Sequence, residues 1–104
     1  MKIRTGMALV GMMAALNVTT AFAQGADTYK AKCQMCHGAT GMAESPAGKA
    51  MKVKPITDPD VKKLTEAEMI KATSNGMGKM QPFKDKLTEA QIKDAVVYFR
   101  TFLK

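Results

Sequence analysis

Cys33-Gln34-Met35-Cys36-His37 is the stretch on which the reading of this chain turns. Two thiols three residues apart fall on one face of a helical turn, and the imidazole follows directly. C-x-x-C-H is the spacing used for covalent attachment of haem. Both thiols can add to the vinyl groups along one porphyrin edge, and the histidine then reaches the iron from beside that edge. Other uses of paired cysteines fit less well. A redox-active C-x-x-C belongs in a βαβ context, and no alternating strand-like run flanks this one. A zinc site needs four ligands, whereas the chain holds two Cys and one His in all. The expectation is one covalent haem, with Cys33 and Cys36 as attachment points and His37 as the proximal ligand.

Upstream, Lys2 and Arg4 precede an uncharged, largely apolar or small-residue run from Gly6 to Ala21, which ends in Ala21-Phe22-Ala23. This order describes a secretory signal peptide, residues 1–23, cleaved after Ala23. An uncleaved anchor is the alternative. Asn17, Thr19 and Thr20 weaken the far end of a span that needs ~20 apolar residues. Export places residues 24–104 in the periplasm with no stable membrane insertion after cleavage. There a cysteine pair would ordinarily form a disulfide, but the spacing and His37 assign it to haem. The whole chain has 104 residues, 46% of them hydrophobic and 24% charged. Such a chain is one small domain rather than a disordered polyelectrolyte. With two Tyr, four Phe and no Trp, its core is small, and a domain this size ordinarily leans on a disulfide, metal or cofactor.

Downstream, helices dominate. Tyr29, Cys33 and Cys36 recur at i, i+4, i+7, which predicts a helix over Gly25 to Cys36 with the attachment residues on its buried side. Gly38 through Pro55, broken by Gly41, Pro46 and Gly48, reads as loop. Thr65-Glu66-Ala67-Glu68 and Thr88-Glu89-Ala90-Gln91 both match the capping box and each opens a helix. They sit inside a five-residue echo, Lys63 to Ala67 and Lys86 to Ala90, which is one helix start used twice, since a structural repeat needs more copies. The first of these helices ends at Asn75-Gly76, a pair that tolerates a left-handed cap. The last runs to the C-terminus with Ile92, Ala95, Val96, Phe99 and Phe102 on one stripe and Lys93, Asp94, Arg100 and Lys104 facing away.

A second axial ligand cannot be histidine, because His37 is the only one, which leaves Met, Lys or an open site. Of the methionines after residue 24, Met35 lies inside the attachment motif, Met42 and Met51 lie in the long loop, and Met69 sits at core spacing on a helix. Met77 and Met80 remain, both in the loop between the capped helices. Pro82 and Phe83 follow Met80 closely, fixing the backbone and offering an aromatic ring. Met80 is therefore the favoured ligand and Met77 the alternative.

Residues 24–104 resemble a small class I c-type cytochrome, the single-haem bacterial or photosynthetic kind. Gly25-x-x-x-Tyr29 resembles that family's Gly-x-x-x-aromatic on the first helix, and Tyr98 resembles the aromatic that packs against the glycine. Met80-Gln81-Pro82-Phe83 resembles its distal-ligand segment. The resemblance implies an all-α fold in which N- and C-terminal helices cross and short helices wrap one haem. It also implies that the Pro46 carbonyl accepts a hydrogen bond from the ligand histidine, and that the activity is electron transfer rather than catalysis. Thioether ligation favours ferrous iron and raises the potential, and two axial ligands leave no vacancy for oxygen. The net charge is +7, and Lys30, Lys32, Lys49, Lys52, Lys54, Lys79, Lys84 and Lys86 flank the segments around the expected haem edge. Such a rim steers a monomeric carrier toward acidic patches on redox partner proteins. Nucleic acid is excluded by export and by the lack of an aromatic platform. An accessory haem subunit of a larger oxidoreductase is the second reading, and an open-site sensor or peroxidase-like enzyme the third.

Overall fold

The computed structural model describes residues 22–103, and every regular element among them is helical. The expected signal peptide lies outside the described residues except for Phe22 and Ala23. The first helix, α1, covers residues 22–37. It widens into a π turn at Tyr29–Cys33, where Gln34 N–H donates to the Tyr29 carbonyl, and returns to α winding over Gln34–His37. Single π turns inside α-helices are found mostly at functional positions.

The segment expected to be loop contains a helix, α2, at Pro46–Ala50. A further one, α3, follows at Pro59–Lys62. Both begin the same way. The Ser45 hydroxyl accepts from Gly48 N–H at 3.1 Å, and the Asp58 carboxylate accepts from Asp60 N–H at 2.9 Å. Proline then stands at the first helical position, where its missing N–H costs nothing and its φ is already helical. The two capped helices form as expected: α4 at Glu66–Asn75 and α5 at Glu89–Arg100, the latter tightening into a 3-10 turn at Thr101–Leu103. Each capping box is reciprocal. Glu68 N–H donates to the Thr65 hydroxyl at 3.1 Å and Thr65 N–H to the Glu68 carboxylate at 2.9 Å. The Thr88–Gln91 pair repeats the same two bonds.

The first and last helices cross at Gly25, where an added Cβ would lie 2.5 Å from the Asp94 carbonyl oxygen. Only a residue without a side chain permits that approach. The resemblance placed Tyr98 against this glycine. The atoms nearest the glycine belong to Asp94, while the Tyr98 ring contacts Tyr29 at 5.4 Å and Phe22 at 6.1 Å between ring centroids, the residues that flank Gly25 on its helix. Asp94 is accordingly half-buried rather than facing away. Arg100 turns inward as well, its guanidinium donating to the Leu64 carbonyl at 2.9 Å and approaching Met69 Sδ at 3.6 Å. A helical wheel has no means of showing that an unpaired carbonyl waits on the facing element.

Two packed groups hold the helices together. Met69, Phe83, Ile92 and Val96 form a buried cluster between α4, α5 and the segment joining them, with Leu64, Met80, Leu87 and Phe99 around it. Tyr29, Tyr98, Phe99 and Phe102 form a second, aromatic group where α1 crosses α5. Ile56 and Ile92 are the largest fully buried side chains, each worth about 1.5–3 kcal/mol in transfer from water. Among the described residues no helix is long and apolar enough to cross a membrane.

Candidate functional site

The last turns of α1 present Cys33, Cys36 and His37 together. Both cysteines are free and half-buried. Burial, and next the neighbouring Cys36, pushes the Cys33 thiol up to about 11. A disulfide-exchanging pair has the opposite setting, a thiol pKa lowered to expose thiolate. His37 is drawn below the usual histidine range by burial, so the ring is neutral and retains the lone pair a metal ligand needs. The edge of its ring meets Phe99 with centroids 5.1 Å apart.

Loop and helix bonds fasten this turn. Tyr29 OH donates to the Gly38 carbonyl at 2.6 Å. Ala43 N–H donates to the His37 carbonyl at 2.8 Å, and the Ser45 hydroxyl donates to the Met35 carbonyl at 2.5 Å. Pro46 does not contribute as expected. His37 Nδ1 is buried and has no hydrogen-bond partner, so the Pro46 carbonyl does not receive it. Ser45 caps a helix that starts at Pro46, and Pro46 itself stands exposed at the first position of α2.

The other candidate ligands lie on residues 76–87, which are strapped to the end of α4 by Phe83 N–H to the Thr73 carbonyl (3.0 Å) and Lys84 N–H to the Ser74 carbonyl (3.2 Å). Met77 and Met80 pair across a two-residue turn, exchanging N–H to carbonyl bonds of 3.1 and 2.9 Å. The turn sends the two side chains different ways. Met80 is half-buried against the Met69–Phe83–Ile92–Val96 cluster, whereas Met77 is 60% exposed. Gly76 makes the turn possible. Its φ is +83°, and a Cβ there would lie 2.9 Å from the Met80 carbonyl oxygen. The expected left-handed cap is replaced by a more extended conformation, with ψ at 159°.

This donor set fits a haem and not a protein-only metal site: one neutral imidazole, two thiols, and a thioether facing inward. Among the described residues no group of three or more His, Cys, Asp or Glu side chains is placed to hold a metal ion. Cys33, Cys36, His37 and Met80 are the residues the sequence puts forward for the haem. Phe99 and Arg100 emerge as supporting residues only in three dimensions, Phe99 having its place on the apolar stripe of the last helix as its one sequence signal, whereas Tyr29 already stood out by its spacing from Cys33 and Cys36. The eight lysines of the expected rim are all exposed. Lys54, however, is engaged with Asp60 at 3.0 Å, and Lys86 with Gln81.

The model of the family described as cytochrome C oxidase, cbb3-type, subunit III matches residues 20–99. Among solved structures, the KustC0563 c-type cytochrome is similar to this chain, with a TM-score of 0.67 and 29% sequence identity over 75% of this chain and 95% of that one. None of the curated proteins matches.

Proposed function

This chain belongs to the c-type cytochrome family described as cytochrome C oxidase, cbb3-type, subunit III, and from that membership we propose that it is an exported, diffusible single-electron carrier whose one haem is ligated by His37 and Met80. It is a class I-like monohaem cytochrome with covalently attached haem c. The observation that carries the ligand assignment is the Met77–Met80 turn, which directs one thioether inward and the other into solvent. When bound, the haem supplies a reversible one-electron couple, and His/Met ligation sets its potential high.

The rest is done by the chain itself. Cys33 and Cys36 tether the group, Phe99 and the Tyr29–Gly38 bond hold the His37 turn, and Met69, Phe83, Ile92 and Val96 keep water from the Met80 side. The free lysines of the rim draw in acidic partner surfaces at long range. Export follows the signal peptide reading, with cleavage after Ala23. That cut removes Phe22, which is 61% exposed and meets Tyr98 edge-on.

Two single substitutions test the reading. Met80→Ala lowers the midpoint potential and admits cyanide or carbon monoxide to the iron. Met77→Ala does neither. The reverse pattern moves the ligand to Met77, and no change in either variant ends the carrier reading. A second role, as an accessory haem subunit of a multi-subunit oxidoreductase, draws support from the family description. It is recognised by copurification with a larger enzyme.

A further inference from the structure

Methionine is among the residue types most often fully buried, yet four of the six that follow residue 24 stand on the surface. Met35 is 74% exposed, Met77 60%, Met42 44% and Met51 38%. The other two are withdrawn: Met69 is 6% exposed, and Met80 is half-buried against the cluster to which Met69 belongs. Two of the exposed four adjoin expected haem-binding residues in sequence. Met35 lies between Cys33 and Cys36, and Met77 stands on the solvent side of the turn that carries Met80 inward. Met42 and Met51 belong to the loop and the end of α2, which clasp the attachment turn.

Thioether oxidation to sulfoxide is governed by exposure. We propose that Met35, Met77, Met42 and Met51 are sacrificial oxidation sites, which meet peroxide before it reaches the sulfur of Met80. The inference rests on Met80 as the distal ligand. In the reaction a methionine sulfur lone pair attacks one oxygen of hydrogen peroxide and the O–O bond breaks. Proton transfer then releases water, so the thioether is oxidised by two electrons to the sulfoxide and the peroxide is reduced. At the four surface sites a sulfoxide can be hydrated, and at Met42 its oxygen can also take the Thr57 hydroxyl that now approaches the sulfur at 3.9 Å. At Met80 the same change would put a polar group into an apolar cluster and spoil the sulfur as a soft ligand. The four sites therefore spend oxidant where the fold tolerates it.

The test uses the haem-loaded protein, titrated with hydrogen peroxide. Sulfoxide is quantified at each methionine by peptide mass spectrometry, while thioether-to-iron absorption is followed in parallel. Sulfoxide is expected at Met35, Met77, Met42 and Met51 while Met69 and Met80 stay reduced and the absorption persists. In the variant M35L/M42L/M51L/M77L, which keeps apolar side chains but removes the sulfurs, the absorption should disappear at a several-fold lower peroxide dose. Oxidation of Met69 or Met80 in step with Met35, or loss of absorption at the same dose in both proteins, overturns the proposal. The ligand assignment is read separately, from Met80→Ala without oxidant, so its failure is not confused with this one.

Discussion

A methyl group at position 76 would press on the Met80 carbonyl at 2.9 Å and on Pro82 N at 3.1 Å, in a backbone region with φ at +83°. Gly76→Ala is therefore expected to cost about 1–3 kcal/mol and to diminish thioether-to-iron absorption by pushing the Met80 segment outward. Gly78, two residues on, has φ at +58° and nothing within 4 Å of an added Cβ. Gly78→Ala should cost about 1 kcal/mol, the left-handed penalty alone, and leave the absorption intact. Denaturant midpoints and visible spectra of the two variants check the contrast. Tyr29 offers a second test at this scale. Burial, chiefly, raises its phenol above the ordinary tyrosine range, so the folded chain keeps the proton that the unfolded chain releases near pH ~10. The stability this gives is complete below that pH and declines as pH rises through the folded value. Tyr29→Phe should lose about 1–3 kcal/mol at neutral pH, because the buried Gly38 carbonyl loses its donor, and should show a shallower alkaline decline in thermal melts.

The two capping boxes offer a matched pair of tests among the elements. Thr65→Ala and Thr88→Ala should each cost about 1 kcal/mol, measured by urea unfolding. Thr65 N–H, donating to the Glu68 carboxylate, holds that group below the usual carboxylate range. Its support for α4 is thus present above pH ~4.3, the unfolded value, and is lost as pH falls through the folded one. Glu68→Gln should flatten that acid limb in pH-dependent melts. These helices were legible because each pairs a hydroxyl and an acid or amide at fixed spacing with ten or more residues of periodic pattern. Helices α2 and α3 were not, although Ser45-Pro46 and Asp58-Pro59 carry the cap and the proline. Four or five residues show no period, so the breakers around them dominated the reading. The inward turn of Arg100 was hidden for another reason: its acceptor is a backbone carbonyl on a different element, and backbone groups leave no mark in sequence.

At the scale of the whole molecule, the largest fully buried side chains among the described residues are Ile56 and Ile92, so the covalent group should decide whether the chain closes. Cys33→Ser with Cys36→Ser should yield protein from which haem is removed by acid and organic extraction, and whose thermal unfolding loses its cooperative transition. The attachment site itself was readable because its three chemical groups are nearly consecutive, whereas Phe99 at the edge of His37 comes from the far end of the chain and depends on the helix crossing. That crossing carries a consequence in time. Tyr29 takes its aromatic neighbours from Tyr98, Phe99 and Phe102, which lie far from it in sequence. A contact between residues so far apart in sequence is slow to form. As the chain folds, the cysteine turn, built from local contacts, is therefore made early and covered late. The interval between those two events is when both sulfurs stand open to be joined, and the arrival of the final helix brings it to a close.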